Sequence, residues 1–414
     1  MERVDLLSDI WLGKGMVLVK RPDLGLWPEV QALENCIQDK EWHAEGNVLI
    51  HTDMVLDETN SLMKGLSKHE AGVLRLSALL HDIEKPNTTQ YDETIGHVIA
   101  PKHERWGGVT SRYMLHDLGI SPFNRRLVSQ LVATHHLVKR AVKVCDTPDG
   151  GVFLDRLAER VNTKLLYLLE LADMRGRICK DQDKQIEIVE LFKMLCEERD
   201  VFGKKPTPWI STEDVKAIPF VNPKVAEWCI HEVHRRRLLG SMKNVYQARA
   251  FCWEHAKDIY EPTEVFITIG PSGSGKSSHI EQYHDSHVII STDSIRKELY
   301  GDEAAYGKQY SGAIPASLER LREQLRKGWN THGSKVVYDA TNVFYDHRKK
   351  ILDLCYSYNA YVKLLVFDIP KEELKHRNQQ RDRQVLDYVI DSQCAKFEWP
   401  APEEAHDLIV IDSI

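Results

Sequence analysis

Only eight of the 414 residues are cysteine (Cys36, Cys145, Cys179, Cys196, Cys229, Cys252, Cys355 and Cys394), and no two form a CxxC pair. Neither a zinc ribbon nor a disulfide framework is indicated, and the thiols read as free and mostly buried. Long apolar runs are also scarce. One of the longest, Leu165 to Leu171, is interrupted by Tyr167 and Glu170 and falls far short of the about 20 residues a membrane helix needs. No surplus of positive charge exists: 55 basic against 62 acidic side chains leave a formal −7. That excludes a protein coating nucleic acid by bulk electrostatics, but not an enzyme gripping one strand end through a local basic groove. The opening residues Met1 to Asp9 mix Glu2, Arg3, Asp5 and Asp9 into one turn, so no secretory signal and a cytoplasmic location are expected. Internal repeats and low-complexity segments are absent.

What is present is ordinary globular composition, 42% apolar and 28% charged, which excludes collagen-like and disordered classes. At roughly 150 residues per domain the length implies two or three cores. From about Leu26 to about Ala256 apolar positions recur at three and four residues, as in Val73, Leu76, Ala78, Leu79 and Leu80, which predicts a nearly all-helical half. After Pro262 the pattern changes to short β-branched runs separated by helical stretches: Val265 to Ile269, Val288 to Ile290, Val336 to Tyr338, Val362 to Phe367 and Leu408 to Ile411. That alternation predicts an α/β domain with a parallel sheet flanked by helices. The expected organisation is an N-terminal extension over 1–25, an all-α helical bundle over 26–256 that includes 209–256, and an α/β domain over 263–414, with the join near Tyr260 to Thr263. The run His234 to Arg237 reads as a solvated helix face rather than a nucleic-acid patch.

Gly270-Pro271-Ser272-Gly273-Ser274-Gly275-Lys276-Ser277 fits the GxxxxGK(S/T) pattern, follows an expected strand and opens a helical stretch. Backbone N–H groups from Gly270 to Ser278 would turn around nucleotide phosphates, with Lys276 on the β/γ oxygens and the Ser277 hydroxyl on Mg²⁺. After the second strand, Asp293 falls where α/β sheets bind ligands, with Arg296 one turn on. Such a carboxylate can accept a hydroxyl proton while the guanidinium holds a phosphate. The third strand ends at Asp339, Ala340, Thr341 and Asn342, and Arg377, Arg381 and Arg383 form a basic segment able to close over a γ-phosphate.

This order resembles the kinase domain of phage and bacterial 5′-OH polynucleotide kinases, through GPSGSGKSS, STDSIR, DATN, HRNQQR and the closing FEWPAPEEAHD, from Val265 to about Ile411. The resemblance implies Lys276 and Ser277 on ATP·Mg²⁺, Asp293 as general base toward a 5′-hydroxyl, Arg296 on an acceptor phosphate, Arg377 and Arg381 as lid arginines, and Asp339 as a further site residue.

The helical half carries His51, His81-Asp82, His103-Glu104, His135-His136 and Asp173, mostly in apolar helical stretches. Imidazoles and carboxylates from several helices can hold one or two divalent cations in a bundle core, with Lys85 beside them to steady an ester's oxygens. The adjacent His-Asp, the lysine three residues on, and the flanking histidines and Ala172-Asp173 together resemble the HD phosphohydrolase superfamily. The stretch Trp42 to Thr52 is similar to the HD domains of bacterial tRNA CCA-adding enzymes, and the similarity runs from about Pro28 to about Ala248. It implies one metal site of His51, His81, Asp82 and Asp173, and a second of His103 with His136 or His135 beside Asp82, His136 being preferred. His43 and Glu45 belong to the same motif, His43 being open between helix-entry packing and phosphate contact, and His97 is unassigned.

Across nearly the whole chain the pair of domains resembles the bacterial and phage HD-Pnk end-healing enzymes. That implies ATP- or NTP-dependent phosphorylation of RNA or DNA 5′-OH ends, metal-dependent removal of RNA 2′,3′-cyclic phosphate and 2′- or 3′-phosphate, and a separate RNA ligase acting afterwards. Three other readings use parts of the same sequence. They are a nucleotide-pool enzyme joining an HD nucleotidase to a small-molecule kinase, a non-catalytic RNA-shape binder, and a degraded CCA-adding enzyme, the last lacking a nucleotidyltransferase segment before Leu26.

Overall fold

The computed structural model describes residues 3–13, 27–259, 261–301, 312–328, 334–381 and 384–412. They fall into two compact units, Met1–Thr207 and Pro208–Ile414.

The first unit is helical, as its periodicity predicts. Its helices start on side chains suited to hold orphan N–H groups: Asn47 accepts from Ile50 N, Ser67 and Glu70 form a capping box, Ser121 precedes Pro122, and Asn162 accepts from Lys164 N and Leu165 N. The resulting helices Val48–Ser61, Lys68–Leu80, Pro122–Thr134 and Thr163–Arg175 bury Val55, Leu76, Leu80, Leu131, Leu166 and Ala172 in one core. The expected extension supplies the helix Arg3–Leu12, whose Ile10 is fully buried in that core. A short antiparallel hairpin, β1 (Gln90–Asp92) and β2 (His97–Ile99), interrupts the helical pattern, and three residues per strand are too few to announce themselves by alternation.

The second unit contains a five-stranded parallel sheet in the order β4-β5-β3-β6-β7: β3 (Glu264–Ile269), β4 (Val288–Ser291), β5 (Lys335–Asp339), β6 (Tyr361–Phe367) and β7 (Asp407–Ile411). Every strand expected from the sequence is present. The central strands β3 and β6 are buried almost throughout, as parallel strands covered on both faces must be. Because β4 lies outside β5, the chain reverses direction across the sheet beside β3, which opens a crevice at the carboxyl ends of β3, β4 and β5.

The boundary differs from the expected one. Residues 208–256 fall in the second unit, with the sheet. Trp228, Cys229, Phe251 and Cys252 form a core with Tyr361 of β6. Val362 N donates to His406 Nδ1 at 2.9 Å, which leaves His406 Nε2 as the donor to Glu232, 2.9 Å away. Glu232 also takes Arg235 in a two-point pair at 2.7 and 2.8 Å, and Arg235 stacks over the Tyr356 ring at 3.6 Å. Half of the basic run is therefore internal rather than a solvated face: Arg235 and Arg237 are buried and Arg237 covers Trp209, while His234 and Arg236 are partly exposed.

Candidate active sites

In the first unit the site residues sit at helix ends, where a short change of sequence fixes their direction. His51 lies in the first turn of Val48–Ser61, His81 directly follows Lys68–Leu80, His103 opens His103–Asp117, His135 follows Pro122–Thr134, and Asp173 is in the last turn of Thr163–Arg175. Three of these histidines share one device. His81, His103 and His135 each donate Nδ1–H to the carbonyl three residues earlier, of Ala78, Ala100 and Val132, at 2.8, 2.6 and 2.8 Å. That contact fixes the Nδ1 proton on the carbonyl and turns Nε2 inward.

Those nitrogens meet a common centre. His81 Nε2 and His103 Nε2 each stand 3.2 Å from an Asp82 oxygen, His51 Nε2 stands 3.0 Å from Asp173 Oδ1, and Lys85 Nζ stands 2.8 Å from Asp82 Oδ2. Three groupings among the described residues are close enough to share an ion: His51 with His81 and Asp173, His103 with His135 and His136, and His43 with Glu45 and His51. The structure thus brings together every residue the sequence nominated here, and takes in both His135 and His136 instead of choosing between them. The fit to a cation rests on orphaned donors: His135 Nε2 is buried without a hydrogen-bond partner, as are the Nε2 atoms of His81 and His103. A mixed imidazole and carboxylate set of this kind suits a divalent transition metal.

Electrostatics agree with that use. Burial, and then His103 and His81, lower the His135 pKa to about 3, and burial also holds His136 well below its ordinary value, so both imidazoles are neutral. Burial would raise the Asp82 carboxyl, but His81, Lys85 and His103 outweigh it and keep it ionised. Burial would likewise raise Asp173, against which Arg177 and His51 prevail.

Three participants, Arg177, Gln38 and Glu170, carry no sequence signal of their own, and Glu45 and His43 take the places their motif implied. Arg177 Nε donates to Asp173 Oδ1 at 3.0 Å, and its Nη2 binds the other oxygen. Glu45 Oε1 lies 2.8 Å from His43 Nδ1 and 3.1 Å from His51 Nδ1, which places His43 in a carboxylate–imidazole chain behind His51. Lys85 Nζ donates to Gln38 Oε1 at 2.8 Å. Glu170, one turn before Asp173, is fully buried with neither oxygen hydrogen-bonded, and burial followed by the charge of Asp173 pushes its carboxyl up toward the neutral form.

In the second unit the phosphate loop leaves β3 and enters the helix Lys276–Ile280. Gly273 and Gly275 hold φ of +84° and +82°, and a Cβ on Gly273 would stand 2.6 Å from the Leu374 carbonyl oxygen, so the turn requires glycine there. Lys276 Nζ donates to the carbonyls of Gly270 and Pro271 at 2.9 and 2.8 Å, spanning its own loop. Burial lowers its pKa to about 8 against the opposing pull of Asp339 and Asp293. A cavity of about 760 Å³ is lined by Ser272 to Ser278, Asp293, Arg296, Asp339, Arg377 and Arg381. Gly270 forms the loop's base, its N–H donating to Thr341 O at 2.9 Å.

Asp293 and Arg296 lie one turn apart on the helix Thr292–Tyr300 and are ion-paired, and Ser291, not Asp293, caps that helix. Asp339 is buried, and burial raises its carboxyl despite Lys276 and a 3.1 Å hydrogen bond from Thr268. Arg377 sits on the helix Lys371–Gln379, paired with Glu373, and Arg381 follows that helix; Arg383 lies outside the described residues. The closing tail acquires a role no single residue announced. Glu404 makes a two-point pair with buried Arg348 at 2.7 and 3.0 Å, and Arg348 in turn donates to the Asn342 and Val343 carbonyls behind the strand end.

The folds and sites define a class: a helical metal-dependent phosphohydrolase unit joined to a P-loop phosphotransferase unit. Family comparison supports both halves, with residues 48–175 matching the HD domain and residues 265–400 matching an AAA domain. The chain therefore joins an HD phosphohydrolase domain to a P-loop kinase-type domain. No curated protein matches the sequence. Among solved structures, a sugar kinase from Janibacter sp. HTCC2649 is 20% identical over 36% of this chain and 86% of its own, with a TM-score of 0.29. A chain of the Pnkp1/Rnl/Hen1 RNA repair complex is 22% identical over 34% of this chain and 46% of its own, TM-score 0.30. A gluconokinase from Sinorhizobium meliloti 1021 is 20% identical over 36% and 82%, TM-score 0.27. Among the described residues no helix is long and apolar enough to cross a membrane.

Proposed function

We propose that this chain heals nucleic-acid ends: the second unit transfers the γ-phosphoryl of ATP or another NTP to a polynucleotide 5′-hydroxyl, and the first removes RNA 2′,3′-cyclic phosphate and 2′- or 3′-phosphate. The observation that carries the reading is that one cavity contains both a phosphate loop and, at the neighbouring strand ends, an exposed carboxylate paired with an arginine. That combination equips a site to activate a second substrate's hydroxyl, which a simple nucleotide hydrolase does not require. The motif resemblance to 5′-OH polynucleotide kinases supplies the substrate class.

In the kinase reaction the 5′ oxygen bonds to the γ-phosphorus as the bond to the β–γ bridging oxygen breaks, and the hydroxyl proton passes to Asp293, oriented by Arg296. Lys276 exchanges the Gly270 and Pro271 carbonyls for the β/γ oxygens, Arg377 and Arg381 neutralise charge on the transferred group, and Ser277 would hold Mg²⁺ through its hydroxyl. Asp339, held by Thr268, faces the same phosphates.

In the phosphoesterase, His51, His81, Asp82 and Asp173 would hold one divalent cation, and His103 with His135 and His136 a second beside Asp82. Such cations, when bound, supply Lewis-acid activation of the ester. Lys85, fixed between Asp82 and Gln38, steadies the ester's oxygens, and Arg177 sets the direction of Asp173. The joint products, 3′-OH and 5′-phosphate, are what a ligase joins, so a separate RNA ligase in the cytoplasm is the proposed successor.

The test is a labelled RNA with 5′-OH and 2′,3′-cyclic phosphate termini, incubated with and without ATP and divalent metal, followed by end analysis. Both ends change with ATP and metal, and only the 3′ end without ATP. Lys276→Ala or Asp293→Ala lowers 5′ phosphorylation by about 10²-fold or more and spares the 3′ end; His81→Ala or Asp82→Ala does the reverse. Phosphorylation of free nucleosides in preference to a 5′-OH oligonucleotide would replace this reading with the nucleotide-pool one.

A further inference from the structure

The candidate metal site is not sealed on all sides. The His51, His81, Asp82 and Asp173 side chains are 0–2% exposed, whereas those of His43, Lys85 and Arg177 are 10–12% exposed. His43 and the partner of Lys85, Gln38, belong to a single loop, and between them lies a constructed surface. Asp39 accepts from Glu41 N at 2.9 Å through Oδ1, and through Oδ2 from Val98 N and His97 Nδ1, each at 3.0 Å. One carboxylate thus fixes the turn, strand β2 and the orientation of an imidazole. On that imidazole lies the indole of Trp42, ring centroids 4.7 Å apart and 30° from parallel. Trp42 nevertheless remains 38% exposed.

An indole held flat by a locked imidazole, and still open to solvent, is more than hairpin packing requires, because burial is what would stabilise the hairpin. Trp42 is bonded to His43, whose ring lies 4.9 Å from that of His51 and whose side chain is among the partly exposed ones, so the indole is anchored one residue from the site. Rigid aromatic faces of this kind bind nucleobases without selecting among them, since every base offers a π-face.

We propose that Trp42, backed by His97 and Asp39, is a nucleobase-stacking subsite of the HD unit, taking the base of the nucleotide whose ribose phosphate is hydrolysed. This rests on the phosphoesterase reading above and adds that the substrate is recognised by its base as well as by its phosphate. Base identity is left unread, which suits an enzyme that must act on whatever end a break presents.

Two measurements on the full-length protein test it. In the first, KM and kcat are compared for nucleoside 2′,3′-cyclic phosphates and for glycerol 2-phosphate, which has no base. Trp42→Ala raises KM for the nucleoside esters about ten-fold with kcat retained, leaves glycerol 2-phosphate unchanged, and Trp42→Phe restores most of the loss. In the second, tryptophan fluorescence is titrated with adenosine 3′-phosphate and with ribose 5-phosphate; the nucleotide alone quenches, and Trp42→Phe removes that quench. Equal KM changes for both ester classes, or a quench that survives in Trp42→Phe, overturn the subsite. Absence of hydrolysis of any nucleoside ester by the wild type, with the selective quench intact, would instead count against the phosphoesterase reading.

Discussion

At the scale of single residues, Lys276 carries a pH dependence with a definite sign. Its ammonium faces loop carbonyls and is sheltered enough that its pKa falls to about 8. Nucleotide phosphates stabilise the charged form, so binding takes up a proton above that pH, and affinity weakens about ten-fold per unit once pH exceeds about 8. Calorimetry of ATP binding from pH 7 to 9.5 in buffers of different ionisation heat measures this directly; a flat affinity over that range would show that Lys276 stays charged throughout. At this scale the sequence was informative where a motif names an atom's task, as for Lys276, Asp293, His81 and Asp82. It was silent on Arg177, which pairs with Asp173 one turn away, and on Gln38, 47 positions from the Lys85 whose ammonium it accepts. Nothing in the local sequence distinguishes these side chains from surface ones. The choice between His135 and His136 had the same difficulty, since direction at a helix end depends on which carbonyl the Nδ1 proton finds.

At the scale of elements, the catalytic rim of the sheet depends on the chain's closing segment. Arg348 is fully buried and its charge is balanced by Glu404, 56 positions away; the same guanidinium holds the Asn342 and Val343 carbonyls. Asn342 Nδ2 reaches Thr268 O on β3, and Thr268 Oγ1 reaches Asp339, so the ion pair is coupled through two hydrogen bonds to the residues flanking the phosphate loop. Glu404→Ala leaves a buried guanidinium uncompensated, which costs about 3–5 kcal/mol. In a unit of this size that lowers the melting temperature by about 6–20 °C, and kinase activity falls with it while 3′ end trimming is retained. Glu404→Asp, which keeps the charge on a shorter side chain, recovers part of the stability. The strands themselves were legible because a parallel sheet buried on both faces must be written as β-branched runs. The hairpin of β1 and β2 was not, because its residues are partly exposed and satisfy neither period.

At the scale of the molecule, the covalent and the physical boundaries differ. Pro262 and the change of periodicity mark where helices stop and strands start, and from sequence that reads as the join between domains. The packing divides 55 residues earlier, between Thr207 and Pro208, because the helix Pro223–Leu238 finds its partners on β6 and the tail. Glu232 is held well below the usual carboxylate range: burial opposes this, but His406 and Arg235 prevail, and all three are buried. Glu232 and His406 lie 174 positions apart, beyond the reach of any local pattern. A chain of residues 208–414 is therefore expected to fold cooperatively and to keep 5′-phosphorylating activity near that of the full protein. A chain of residues 263–414 strips the cover from Tyr361 and leaves His406 and Tyr356 without Glu232 and Arg235, so it exposes an apolar sheet face and aggregates or melts without a sharp transition. Thermal unfolding and end-labelling assays on the two fragments decide the matter: a stable, active 263–414 fragment would mean that the helices of 208–256 are an appendage, whereas activity confined to 208–414 would make them part of the kinase unit.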